Sequence, residues 1–222
     1  MSIWDWEYVW EAMPYLLKGA IVTVQATFIG FAIALVLGLV FALIRQSQNR
    51  IISGTMAEIV EFIRSTPLLL QIFFVYFVGP QFGIVIPAWT AGIGVLGIHY
   101  AAYCSECYRA GIENVDGGQW EACTALNLST ARAWRVIILP QAIPPIVPSL
   151  GNYFIGMFKD TPILAAIAIL EMLQRAKNFG AENYRYIEAI TMAGALYLLF
   201  SLVASVIVQM ISLWLNRRYH LQ

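Results

Sequence analysis

His99, Tyr100, Tyr103 and Glu106 stand close together in an otherwise apolar stretch. His99 and Tyr103 are four positions apart, and Glu106 lies three further on. In a helix this spacing puts them along one face. Polar and ionisable groups are costly in hydrocarbon, so such a face turns toward a cavity or a neighbouring helix. The row could line a solute path or hold helices together by hydrogen bonds. Arg64, Thr66 and Pro67 form a second group. Glu61 lies three residues before Arg64, so an intrahelical ion pair is available. Pro67 removes a backbone donor, frees a carbonyl and kinks its helix, which suits a hinge or a binding point. Asn152, Lys159 and Asp160 are a third group. A zwitterionic solute needs one cation and one anion nearby. Lys159 and Asp160 are adjacent, so they face different ways and are poorly placed to pair with each other. They could equally pair with other helices or another subunit. Cys104-Ser105-Glu106-Cys107 has the C-x-x-C form, but no second pair, strand or ligand histidine accompanies it. These cysteines read as small helix residues, and three cysteines give no complete disulfide framework.

The elements that must position these groups are membrane helices. The chain has 222 residues, 60% hydrophobic and 12% charged, and a mean hydropathy of +0.71. Soluble domains carry about 25% charged residues, so this surface suits lipid better than water. A net charge of zero points away from nucleic acid as a partner. No Asp, Glu, Lys or Arg occurs in residues 19–44, 65–105, 136–158 or 189–216. A span needs about 20 apolar residues. Residues 65–105 hold two spans, separated by a turn at Gly79, Pro80, Gly83 and Pro87. The reading is an all-α membrane protein with five transmembrane helices, near 17–45, 53–78, 88–112, 141–165 and 188–215. The prolines 144, 145 and 148 suggest a bent, partly open start to the fourth span. The chain reads as a single transmembrane domain, 1–222, with no cleavable signal peptide. Residues 1–16, with Trp4, Trp6, Tyr8 and Trp10 among acids, read as an external amphipathic start at the lipid–water boundary.

Basic residues cluster on one side of this plan: Arg45 and Arg50, then Arg109, Arg132 and Arg135, then Arg217 and Arg218. The positive-inside rule makes that side cytoplasmic. The N-terminus is then outside, the C-terminus inside, and the 171–188 loop outside. Trp89, Trp214 and Tyr219 read as interface anchors. The 113–140 loop is cytoplasmic and structured. Gly117-Gly118 breaks the chain, and Trp120, Cys123 and Leu126 share a helical face. Asn127 suits a left-handed C-cap, and Ser129 suits the N-cap of a second short helix. Residues 62–69 and 157–164 echo one another, each with a basic residue three before a proline, like the paired interrupted helices of transporters.

At this loop the chain resembles the type I ABC importer permeases. Glu121-Ala122-Cys123, then Asn127, then Ile138-Leu139-Pro140, is similar to that family's "EAA…G…I-LP" loop. Arg64-Ser65-Thr66-Pro67-Leu68-Leu69, Ala102-Tyr103 with Glu106 and Arg109, and Lys159-Asp160-Thr161 are similar to its polar amino-acid uptake branch. The Trp-rich start, Gly97-Ile98-His99-Tyr100 and residues 125–129 are most similar to its ectoine and hydroxyectoine permeases. Two positions depart from the loop pattern. Asn127 replaces a glycine, and Asn tolerates the same bend. Cys123 replaces an alanine of similar size. The resemblance implies that Gly118, Glu121, Ala122, Cys123, Asn127, Leu139 and Pro140 form coupling helices that dock on a cytoplasmic ATPase dimer. It also implies a second permease subunit (itself or a paralogue), an external solute-binding protein, and uptake of small polar solutes by alternating access in the bacterial inner membrane. No cofactor is expected in this chain. It lacks G-x-x-x-x-G-K-[ST], so ATP and Mg belong to the ATPase partner. A membrane enzyme is the poorer reading, because no nucleophile–base cluster supports it. A stand-alone carrier or channel would work without ATP.

Overall fold

The computed structural model describes residues 4–219. Residues 1–3 and 220–222 lie outside that description, as do the side chains of Asn216, Arg218 and Tyr219, so the topology role of Arg218 and the anchor role of Tyr219 fall there too. Helices account for every regular element among the described residues. They are α1 (Trp6–Arg45), α2 (Arg50–Ser65), α3 (Leu68–Phe73), α4 (Ala88–Glu113), α5 (Gly117–Ala125), α6 (Thr130–Ala133), α7 (Leu139–Asp160), α8 (Met172–Asn183) and α9 (Tyr186–Tyr219). A π turn and a 3-10 turn follow α3, a π turn joins α6 to α7, and a 3-10 turn, Thr161–Ile167, leaves α7.

Two helices, Trp6–Arg45 and Tyr186–Leu215, are long and apolar enough to cross a membrane; counting two bent pairs raises this to four. The central α4 is 26 residues long but is diluted by His99, Tyr100 and Tyr103. Those polar groups are affordable because α1, α2, α3 and α7 surround it. Small residues allow the α1–α4 approach. A Cβ on Gly38 would lie 2.7 Å from Cys104 Cβ and 2.9 Å from the Ala101 carbonyl. One on Gly97 would lie 2.7 Å from Ile33 Cγ2. Buried Ala26, Gly30, Ala34 and Gly38 continue this seam along α1.

The structure departs from the sequence reading in five places. Residues 6–16 are no separate start, because α1 runs unbroken through Pro14. Its first turns are held by α8 and α9: Ala12 and Leu16 pack with Phe179 and Ala189, the Asp5 amide donates to Glu188 at 3.2 Å, and Arg185 stacks on Tyr8 at 4.6 Å. The second expected span is bent by 103° between Arg50–Ser65 and Leu68–Phe82. The short helix after Ser129 is not isolated but continues through the π turn into α7, and Ser129 makes no side-chain cap bond. The prolines of α7 do not open it. The 171–188 loop is mostly α8, nucleated by Glu171, whose carboxylate accepts from the Leu173 and Gln174 amides at 2.9 and 2.6 Å.

Candidate functional site

The break after α2 begins with backbone chemistry. Pro67 lacks an N–H, and the residue before proline is pushed to extended backbone; Thr66 has φ −105° and ψ 140°. The exposed polar groups are answered locally. Thr66 Oγ1 donates to Phe62 O at 2.9 Å, and Gln71 Nε2 donates to Ile63 O at 2.7 Å. Gln71 Oε1 meets His99 Nδ1 at 3.1 Å, which ties the break to α4.

From His99 the cluster spreads across α4 to α7. The His99 ring lies 5.8 Å from Tyr100 and 5.3 Å from Tyr103. Tyr153 of α7 lies 6.3 Å from Tyr100 and 5.4 Å from Tyr103. At one end Tyr100 Oη donates to Asp160 at 2.7 Å. At the other, the Arg64 guanidinium sits 5.3 Å over the Tyr103 ring, and Tyr103 Oη donates to Arg64 O at 3.4 Å. Buried Thr161 bonds Phe158 O at 2.7 Å as α7 ends. The two Thr-Pro segments that echo in sequence thus both end helices, and they deliver Arg64 and Asp160 to one aromatic cluster.

Glu106 lies beyond Tyr103 and gathers charge from three helices. It pairs with Arg45 at the end of α1, accepts from Arg109 Nε and Nη2 at 3.0 and 2.9 Å, and stands 3.8 Å from Arg64. The expected Arg64–Glu61 pair is present at 3.3 Å, so Arg64 is shared between two carboxylates. Asn152 and Lys159 do not join the cluster. Both are exposed. Lys159 lies in a groove of about 320 Å³ beside Tyr197, Ser201 and Ser205 of α9. Lys159 and Asp160 form no ion pair with each other.

Sequence reasoning missed Gln71 and gave Tyr153 and Arg45 no role here. The signal for Gln71 was an amide four residues after a helix-breaking proline. It missed Glu171 as well, a fully buried carboxylate that also accepts from Tyr197; nothing in the spacing marked it.

The second candidate surface is the loop. Asp116 caps α5 through Gly118 N at 2.7 Å. Cys123 is buried, whereas Glu121 and Ala122 are exposed. Asn127 adopts φ 47°, and the Leu128 amide returns to Cys123 O at 3.0 Å, closing α5 with a left-handed turn. Trp120 meets Trp134 at 5.4 Å, and Gln141 reaches Gln119 at 3.3 Å, so α5 rests on the start of α7. Leu139 is exposed and Pro140 half-buried at that junction. Leu126 and Val136 are left 70% and 63% exposed on this polar segment.

A long seam of small residues, two interrupted helices and a structured loop at one end define a helical membrane transport subunit. Residues 34–220 match the family described as binding-protein-dependent transport system inner membrane component. A probable amino-acid ABC transporter permease protein of Sinorhizobium fredii is 46% identical over 206 residues, 93% of this chain and 89% of its own length. The nopaline transport system permease protein of Agrobacterium fabrum is 36% identical over 222 residues, 96% and 92% of the two chains. The crystal structure of an amino acid ABC transporter with histidines superposes with a TM-score of 0.89 at 36% identity, covering 96% of this chain and 99% of that one. The chain belongs to this family: it is the permease subunit of an ABC importer, not an enzyme, and ATP is hydrolysed by a separate subunit.

Proposed function

We propose that this permease imports small zwitterionic solutes of the amino-acid type, with Arg64 facing the solute carboxylate and Asp160 its ammonium. The observation that carries this is the cluster itself: a cation on Tyr103 and an anion on Tyr100 flank a row of rings. A charged group kept inside a membrane bundle marks a solute path more readily than a structural contact. His99, Tyr100, Tyr103 and Tyr153 form the wall, Thr66 and Pro67 the elbow beside it. Ectoine and hydroxyectoine, compact zwitterions with a carboxylate and an amidinium, meet the same chemistry and remain the narrower reading that His99-Tyr100 supports.

In this reading the chain is one transmembrane domain with five spans, counting each bent pair as one span and adding α4. The N-terminus lies outside, and the 113–140 loop and C-terminus lie in the cytoplasm. Glu121, Ala122 and the exposed Leu126 and Val136 form the docking surface for an ATPase dimer that holds ATP and Mg. Gly118, Cys123, Asn127, Leu139 and Pro140 shape it. Apolar side chains exposed on a polar loop support that role. A second permease, self or paralogue, completes the path, and a binding protein delivers solute from outside.

The test is ATPase stimulation of the co-purified complex by its binding protein loaded with L-glutamine, L-arginine, L-cystine, ectoine or hydroxyectoine. Stimulation by at least one zwitterion, lost in Arg64→Gln and Asp160→Asn, is the expected outcome. Stimulation that survives both substitutions ends the assignment of the site.

A further inference from the structure

The geometry around Gln71 fixes more than the elbow. Pro67 leaves the Ile63 carbonyl without its helical donor. Gln71 Nε2 replaces that donor at 2.7 Å and also lies 3.2 Å from Thr66 O and 2.6 Å from Thr66 Oγ1. The Thr66 hydroxyl proton is committed to Phe62 O, so its oxygen meets Gln71 with a lone pair. The amide nitrogen therefore sits among three acceptors. Flipping the amide would set Oε1 against three oxygens, which repulsion forbids. Oε1 is then the atom that meets His99 Nδ1 at 3.1 Å. An amide oxygen only accepts, so Nδ1 carries the proton, and the neutral ring keeps a lone pair on Nε2. His99 makes no other hydrogen bond among the described residues.

We propose that Gln71 is a positioning residue that locks His99 as its Nδ1–H tautomer, so that Nε2 serves as an acceptor selecting solutes with an N–H donor such as an ammonium or amidinium. This rests on reading the aromatic cluster as the solute site. The chain of cause runs from a missing proton on Pro67 to a lone pair on His99, through one amide. It also gives the cluster a polarity. His99 Nε2 and the Asp160 carboxylate accept on the Tyr100 side, while Arg64 donates on the Tyr103 side.

The tautomer can be read without any solute. The chain has two histidines, so His220→Gln with a histidine-free affinity tag leaves His99 alone. The full chain, labelled with 15N-histidine in lipid nanodiscs at pH 8, should show the protonated-type resonance on Nδ1 and the unprotonated type on Nε2. Gln71→Leu should move the proton to Nε2 or average the two. Gln71→Glu keeps an oxygen facing Nδ1 and should retain the original pattern. A proton on Nε2 in the His220→Gln chain, or a pattern that Gln71→Leu leaves unmoved, overturns the positioning role. If Gln71→Leu fails to fold, the His220→Gln spectrum alone decides. Saturating L-glutamine, L-arginine, L-cystine and ectoine are then added in turn. A shift of Nε2 by at least one upholds selection; no shift with any, under an intact Nδ1–H pattern, overturns selection and the solute site while the positioning role stands.

Discussion

Proline marks both the elbow after α2 and the first half of α7, with opposite results. Pro67 accompanies a 103° bend, whereas Pro144, Pro145 and Pro148 lie inside an uninterrupted α7. The difference lies in what surrounds the freed carbonyls. At the elbow, α2 has only Val60 buried, so little packing holds the chain straight, and Thr66 and Gln71 supply hydrogen bonds that make the broken form self-sufficient. In α7, Ile138, Ala142 and Ile146 are buried against Val115 and the end of α4, and Gly151 lets α9 approach through Val208. Packing on two sides dictates a helical path that three missing donors do not overturn. A proline removes one bond; the neighbours decide whether a break follows.

If packing holds α7, disturbing its contact with α4 should have the largest effect. A Cβ on Gly111 would lie 3.1 Å from the Ala142 carbonyl, with Ile146 closer still. Gly111→Leu should destabilise the chain by about 3 kcal/mol, the upper end of overpacking costs, in equilibrium unfolding in mixed micelles. A change below about 1 kcal/mol would deny that the α4 contact holds α7. Gln71→Leu should come next. It strands the Ile63 and Thr66 carbonyls, and an unsatisfied buried acceptor costs about 1–3 kcal/mol, so a loss near 2 kcal/mol is expected in the same assay. Thr66→Val keeps the shape but deletes the hydroxyl, which donates to Phe62 and accepts from Gln71. It should cost about 1 kcal/mol, a typical net hydrogen bond. If Thr66→Val costs more than Gln71→Leu, the hydroxyl rather than the amide supports the elbow.

The same contrast explains what the sequence made legible. Charge-free stretches reveal apolar helices, and Pro67 announces a kink, because both follow from local chemistry. The prolines of α7 mislead for the same reason: local rules favour a break, and only tertiary packing overrides them. Residues 171–188 read as a loop because their polarity matched no lipid-facing pattern, yet Glu171 caps them into α8 from a fully buried position. Of the site, α4 was readable, since His99, Tyr100, Tyr103 and Glu106 share a helical face. The link from Arg64 to Asp160 was not, because it depends on where two broken helices end in space. Asn127 was readable from residue type alone, and its φ of 47° matches.

Pro148→Ala should have the smallest effect, and its sign is informative. The substitution restores an N–H that can reach the Pro144 carbonyl one turn back. In an isolated helix, proline costs about 3 kcal/mol against alanine. Here α7 is already helical, and its packing partners have been shaped around the ring, so most of that gain is offset by lost contact. A change within about 1 kcal/mol is therefore expected, on the stabilising side, with solute uptake in proteoliposomes reduced less than twofold. A gain near the full 3 kcal/mol would mean that α7 is strained throughout, and that its straightness is a weakness the fold tolerates rather than a path its packing enforces. A loss would mean that the pyrrolidine ring itself fills the α7 interface. Either result would move the contrast with the elbow from packing against hydrogen bonding to proline against proline, and the two regions would no longer differ in kind.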